Sequence, residues 1–207
     1  MSLSVRQSIA QCLAMVLFIG CLFGCGFSVS PPRSLEKAEQ GNAEAQYNTG
    51  LSYELGYQTP KNVVESEKWY KRAAEQNHVL AQYSLGRIYY HGEGIEKDLN
   101  QAAFWYRKAA EQGHASAQYM LFKMYSHGTG VPYDAKEAFR WAQKVSKQGD
   151  ARGQSALSEL YRLGVGTPKD LKKAYQWAFR AATQNHPEGQ LRLAELYHKG
   201  EGGSKDI

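Results

Sequence analysis

Three kinds of residue in this chain have types and spacing that suggest chemistry: six histidines, three cysteines and recurring Gly-x-Gly turns. The histidines fall in phase. His78, His114 and His186 are separated by one or two steps of 36 residues, and His91 and His127 by one step. Metal ligands must lie within about 2 Å of one ion. Equivalent residues on helices stacked side by side lie roughly 10 Å apart, so this phasing argues against a metal site. The turns Gly92-Glu93-Gly94, Gly128-Thr129-Gly130 and Gly164-Val165-Gly166 are not phosphate cradles. None follows a strand pattern and none continues with the glycines that such a loop needs. The cysteines, Cys12, Cys21 and Cys25, all lie near the N-terminus. The rest of the chain therefore has no thiol nucleophile, thiolate metal site or disulfide. No nucleophile–base pair emerges from the spacing either, so no catalytic residue, metal or cofactor is expected.

The elements that carry these residues repeat. Gln46, Gln82, Gln118, Gln154 and Gln190 are each 36 residues apart, and so are Trp69, Trp105, Trp141 and Trp177. Residues 77–112 show the unit. A first helix, A, is predicted over about 79–91, where Ala81, Leu85, Ile88 and Tyr89 form a helical-period apolar stripe. Gly86 in that helix costs about 1 kcal/mol against alanine, which points to close approach of small residues on the paired helix. A second helix, B, is predicted over about 99–112, with Ala102, Trp105, Tyr106 and Ala109 inward. Asn62, Asp98, Asp134, Asp170 and Asp206 stand where helix B begins, and all are good N-cap types. Asn77, Gly113, Gly149 and Asn185 follow it, the residues that most readily take the left-handed C-terminal conformation. One such hairpin cannot bury its apolar face, so the units must stack.

With A-Q-Y-x-L-G-x-x-Y-x-x-G-x-G, the capping Asp and W-Y-x-x-A-A-E-Q in hand, the chain resembles the Sel1-like repeat family, relatives of tetratricopeptide repeats. The resemblance implies an all-α fold, a right-handed α/α solenoid. Its copies are 41–76, 77–112, 113–148 and 149–184, with a partial fifth at 185–207 and a helix B remnant at 34–40 serving as an N-terminal cap. Thr49 stands where other copies have Leu85, Leu121, Leu157 and Leu193, and Gln58 replaces the second turn glycine. Phe122 and Ser158 replace the helix A glycine, and a slight splaying of those helices is expected. A last helix at about 187–199, lacking a partner, is expected to leave Leu193, Leu196 and Tyr197 as an apolar patch open to self-association.

Residues 1–24 have the form of a signal peptide, with Arg6 before an apolar core from Cys12 to Gly24 that is short for a membrane span. Leu22-Phe23-Gly24-Cys25 resembles the lipobox of bacterial lipoproteins, and Phe18-Ile19-Gly20-Cys21 is a second match. That resemblance implies lipidation at Cys25, alternatively Cys21, with 25–33 as an extended tether and the chain exported and held at a membrane of a bacterial envelope. A signal anchor over Cys12–Val29 and soluble export by cleavage after Ser30 stay open.

Relatives of this fold bind peptides or protein surfaces along the concave face that helix A lines. Carried onto this chain, the resemblance places Tyr47, Tyr83, Arg87, Tyr90, His91, Tyr119, Lys123, His127, Glu159 and Arg162 in that groove, with Asn48, Leu51, Glu54, Ser126 and Ser155 beside them. Tyr and Arg often carry binding hot spots, although tyrosines in such repeats also pack between neighbouring helices. The net charge of +5 reads as too small and too dispersed for nucleic acid. The expected function is a non-enzymatic scaffold for an unidentified protein or peptide. The rivals are an enzyme acting on cell-wall material or β-lactams, and a signal-anchored adaptor.

Overall fold

The computed structural model describes residues 34–201. The leader, both lipidation candidates, the tether and the capping Asp206 lie outside the described residues. Ten helices and no strands make up the described part: α1 (Leu35–Glu39), α2 (Ala43–Leu55), α3 (Val63–Glu75), α4 (Val79–His91), α5 (Leu99–Glu111), α6 (Ala115–His127), α7 (Ala135–Lys147), α8 (Ala151–Leu163), α9 (Leu171–Thr183) and α10 (Pro187–Lys199). The even-numbered helices are A helices and the odd-numbered ones are B helices, α1 being the short remnant. Each helix packs on the next in the chain, and α8 also meets α10. This is the expected all-α solenoid.

The caps explain why the elements begin and end where they do. Side-chain oxygens of Asn62, Asp98, Asp134 and Asp170 accept backbone N–H groups in the first turns of α3, α5, α7 and α9. The N–H of each capping residue donates to the carbonyl of Tyr53, Tyr89, Tyr125 or Tyr161, which ties the start of every B helix to the last turn of its A helix. Asn77, Gly113, Gly149 and Asn185 take the left-handed conformation, with φ of 64°, 92°, 83° and 58°.

The repeating glutamine has a physical role that periodicity did not reveal. Gln46, Gln82 and Gln118 are buried, and their Nε2 groups donate to the carbonyls of Ala38, Ala74 and Ala110 at 3.1, 3.1 and 3.0 Å. These carbonyls lie in the last turn of the preceding B helix, where each also accepts the backbone N–H of Gly41, Asn77 or Gly113. The Oε1 atoms of Gln46, Gln82, Gln118 and Gln154 each accept from Gln76, Gln112, Gln148 or Gln184, at 2.7–3.1 Å. A ladder of amides thus joins one repeat to the next, running from the buried layer out to the surface. Gln190 is exposed.

Packing corrects two expectations. A Cβ on Gly86 would stand 2.5 Å from the Tyr106 ring, and one on Gly50 2.7 Å from Tyr70. The glycine therefore makes room for an aromatic ring of its own B helix, not for small residues. Where Phe122 replaces the glycine, Ala142 stands at the ring position and Phe122 packs against the cluster that holds it; Ser158 likewise is matched by Ala178. Exchange of volume across the hairpin gives Phe122 its room, and α6 and α7 remain a contacting pair like the other hairpins. Leu196 is fully buried, and the exposed apolar side chains of α10 are Leu191 and Tyr197, with Leu193 half-buried.

The second turn glycine also works between repeats. A Cβ on Gly130 would lie 2.4 Å from the Leu99 carbonyl oxygen, and one on Gly166 2.0 Å from that of Ala135. Each turn is therefore seated on the start of the preceding B helix. Gln58, at the equivalent place in the first repeat, takes φ 61° at an exposed site. Thr49, at 0% exposure, bonds through its hydroxyl to Ser34 at 2.6 Å, which explains a polar residue at a leucine position. Trp69, Trp105 and Trp141 are buried, and Trp177 is half-buried.

Candidate interaction surface

Residues 47, 83 and 119, with 51, 87 and 123 one turn later, lie on one face of the A helices, and contacts between successive A helices run through it. Tyr47 stacks on His78 with centroids 4.9 Å apart, and Tyr83 on His114 at 4.4 Å. Tyr119 lies 4.8 Å beneath the Arg152 guanidinium. Each tyrosine thus covers the first turn of the next A helix. Ser155, at the fourth such position, is buried rather than groove-lining.

The residues these tyrosines cover are themselves caps. Asn42, His78, His114, Asp150 and His186 begin α2, α4, α6, α8 and α10, and each accepts a backbone N–H from the first turn. For the histidines the acceptor is Nδ1, at 3.2–3.3 Å. Sequence reasoning missed this role. The available signal was that they share a register position with Asn42 and Asp150, two ordinary capping residues. Burial holds the His114 imidazole below its usual pKa. Asp150 is also held low, mainly by the Arg152 guanidinium bonded to it. The His78 ring bonds through Nε2 to Glu44 at 2.9 Å, which lowers that carboxyl as well.

Other expected groove residues are engaged too. Arg87 pairs with Glu54, whose second oxygen accepts the Tyr70 hydroxyl at 2.7 Å. Burial, reinforced by that carboxylate, pushes the Tyr70 phenol far above its usual range. Glu159 receives both arms of Arg162, at 2.9 and 2.7 Å, with Arg192 of α10 3.6 Å away. Arg162 holds the Glu159 carboxyl below its ordinary value.

Apart from Asn48 of repeat one, exposed and bonded to Glu44 at 3.2 Å, the side chains that remain open belong to repeats two and three. Tyr90 is half-buried, edge-on to His91 at 5.2 Å and 6.3 Å from the Tyr106 ring. His91, Lys123 and His127 are exposed. His127 Nδ1 donates to the Lys123 carbonyl at 2.8 Å. A recess of about 130 Å³ beside His91 is lined by that residue with Glu54, Lys61, Val63, Arg87, Ile88 and Glu93, small against the roughly 300 Å³ at the lower end of small-molecule pockets. Among the described residues, no three His, Cys, Asp or Glu side chains gather as metal ligands, and no helix is long and apolar enough to cross a membrane.

A row of capped helical hairpins, joined by amide ladders and aromatic clasps, with its polar and aromatic side chains spread along an open face, defines an α/α repeat solenoid. The family described as "Sel1 repeat" matches residues 43–78, 79–114, 115–150, 151–186 and 187–207, so that every match opens at the first residue of an A helix. The chain belongs to the Sel1 repeat family. Among solved structures it is similar to a protective antigen present in uropathogenic Escherichia coli strains displaying an SLR fold. That likeness has 36% identity, a TM-score of 0.80, and covers 86% of this chain and 38% of the other. It is also similar to a Sel1 repeat protein from Oxalobacter formigenes, at 37% identity and TM-score 0.76, covering 81% of this chain and 66% of that one. The chain thus spans well under half of the first and about two thirds of the second. No curated protein matches it.

Proposed function

We propose that the chain is a non-enzymatic scaffold that binds a protein or peptide along its A-helix face, with repeats two and three as the centre of recognition. The observation that carries this reading is the contrast along the face. Tyr47, Tyr83, Arg87, Tyr119, Glu159 and Arg162 have partners within the array, whereas His91, Lys123 and His127 are exposed on consecutive repeats beside the half-buried Tyr90. An aromatic ring flanked by cationic and imidazole groups suits a partner segment that offers carboxylates and an apolar side chain. The engaged residues hold the face rigid, which lowers the ordering cost of binding.

Residues 25–33 as a tether from lipidated Cys25, or from Cys21, would keep this face close to an envelope membrane. The Leu22-Phe23-Gly24-Cys25 motif supports that placement. Palmitate labelling of wild type, Cys25→Ala and Cys21→Ala tests it; absence of label in wild type discards lipidation.

The test of the binding face is photo-crosslinking in cells from position 91 or 127, followed by identification of the captured chain. The same partner is expected from both positions and should be lost in a folded Lys123→Glu variant. Crosslinks unaffected by Lys123→Glu would contradict the assignment. Turnover of a chromogenic β-lactam by the full chain, abolished by a substitution on this face, would favour the enzyme instead.

A further inference from the structure

The positive charge is not dispersed, as composition suggested, but concentrated on two B helices. Together α7 and α9 carry seven cations and one carboxylate, whereas α3 carries three of each. Lys136, Arg140 and Lys147 of α7, and Lys172, Lys173 and Arg180 of α9, are all exposed. They fall on the arc opposite the buried alanines of each helix, Ala138 and Ala142 in α7 and Ala174 and Ala178 in α9. Because the two helices are consecutive copies in one array, their outward arcs face the same side. Only two of these cations meet a carboxylate among the described residues: Arg140 pairs with Glu137 at 2.9 Å and Lys173 with Asp170 at 3.1 Å. Within the same field, Phe179 is 49% exposed, and Arg180 lies 4.7 Å over the half-buried Trp177 ring.

We infer that this outer face of repeats three and four docks on an anionic lipid bilayer. Most of its cations are lysines, point charges on flexible stems, without the array of guanidinium forks that would read a defined acidic protein site. Clustered lysines with an exposed aromatic among them match the chemistry of an anionic headgroup layer, which attracts basic groups and accepts amphipathic rings at its edge. The inference is independent of the A-helix recognition surface, which lies on the other helix of each hairpin.

The test uses the full chain associated with vesicles of phosphatidylcholine alone, or with one third phosphatidylglycerol, and reads lysine acetylation by mass spectrometry. Slower acetylation of Lys136, Lys147 and Lys172 is expected only with phosphatidylglycerol, against unchanged acetylation of Lys71 on α3, and the difference should vanish in about 0.5 M salt. Each cation at such a surface strengthens partitioning about five-fold. The combined variant Lys136→Gln, Lys147→Gln, Lys172→Gln should therefore weaken docking about a hundredfold, read as acetylation of Lys144 returning to its rate on phosphatidylcholine. These positions are exposed, and the helical circular dichroism of the variant should match wild type. Equal acetylation in both bilayers would overturn the inference. Protection by added poly-glutamate with none from phosphatidylglycerol would also overturn it, by assigning the face to an acidic polypeptide.

Discussion

Exchange of volume between paired helices makes a sharp prediction at Gly86 and Tyr106. A Cβ at Gly86 would stand 2.5 Å from the Tyr106 ring, so Gly86→Phe alone overpacks the hairpin and should cost about 1–3 kcal/mol. Tyr106 is 1% exposed. Tyr106→Ala alone leaves a cavity of nearly a whole ring, at a cost of about 3–5 kcal/mol, taking the value for large aromatic truncations. The double variant rebuilds in repeat two what Phe122 and Ala142 already form in repeat three. It should lie within about 1.5 kcal/mol of wild type, as volume-conserving exchanges do. The coupling energy is then about 3 kcal/mol or more, at the upper end for residues in contact. Urea unfolding followed by circular dichroism, with all four proteins at one slope, measures it. Additive costs, with the double variant the least stable of the four, would refute the exchange.

Three further outcomes are expected. Gln82→Ala removes the donor to the Ala74 carbonyl and the acceptor for Gln112, so it should cost about 2–3 kcal/mol in urea unfolding, while Gln190→Ala, at an exposed position, should change stability by less than about 0.5 kcal/mol. Among the described residues, Ser66 and Ser158 have buried hydroxyls without a partner; Ser66→Ala and Ser158→Ala should each stabilise the array by about 1 kcal/mol, read as a higher urea midpoint. For His114, burial lowers the folded pKa beneath the ordinary 6.5, so the unfolded chain binds the proton first, and this group's stability contribution, present above pH 6.5, is lost as pH falls through the folded value. Because protonated Nδ1 cannot accept the Ala117 N–H, His114→Asn, which keeps a cap and removes the titration, should flatten that part of the stability–pH curve.

The helices, their caps and their spacing were legible because local rules decide them. Asp98 or Asp134 caps a helix whatever surrounds it, and Gly113 or Asn77 permits a left-handed turn by its own backbone preference. Contacts between repeats were less legible. The compensation for Phe122, Ala142, lies twenty residues away on another helix and shows only when the copies are aligned column by column. Gln82 was visible as a period but not as a bond, since its donor and acceptor partners sit at the ends of two different B helices. The A-helix face was legible as a register and illegible as a surface. Whether Tyr83 or Arg87 is open depends on His114 and Glu54 in neighbouring copies, and sequence position alone does not report that occupancy. The basic face of α7 and α9 was hidden by averaging, because the whole-chain charge of +5 conceals a balanced α3.

Each repeat stands only by leaning on its neighbours, and Gly130 is the place to test it. Its left-handed φ of 69° and the Leu99 carbonyl 2.4 Å from any added Cβ leave no room for a side chain, so Gly130→Val wedges repeat three away from repeat two. Amide hydrogen exchange, resolved by helix, is the measurement. Protection should fall together in α5, α6 and α7 on both sides of the wedge. Loss confined to the turn at 128–133, with those helices exchanging as in wild type, would contradict it.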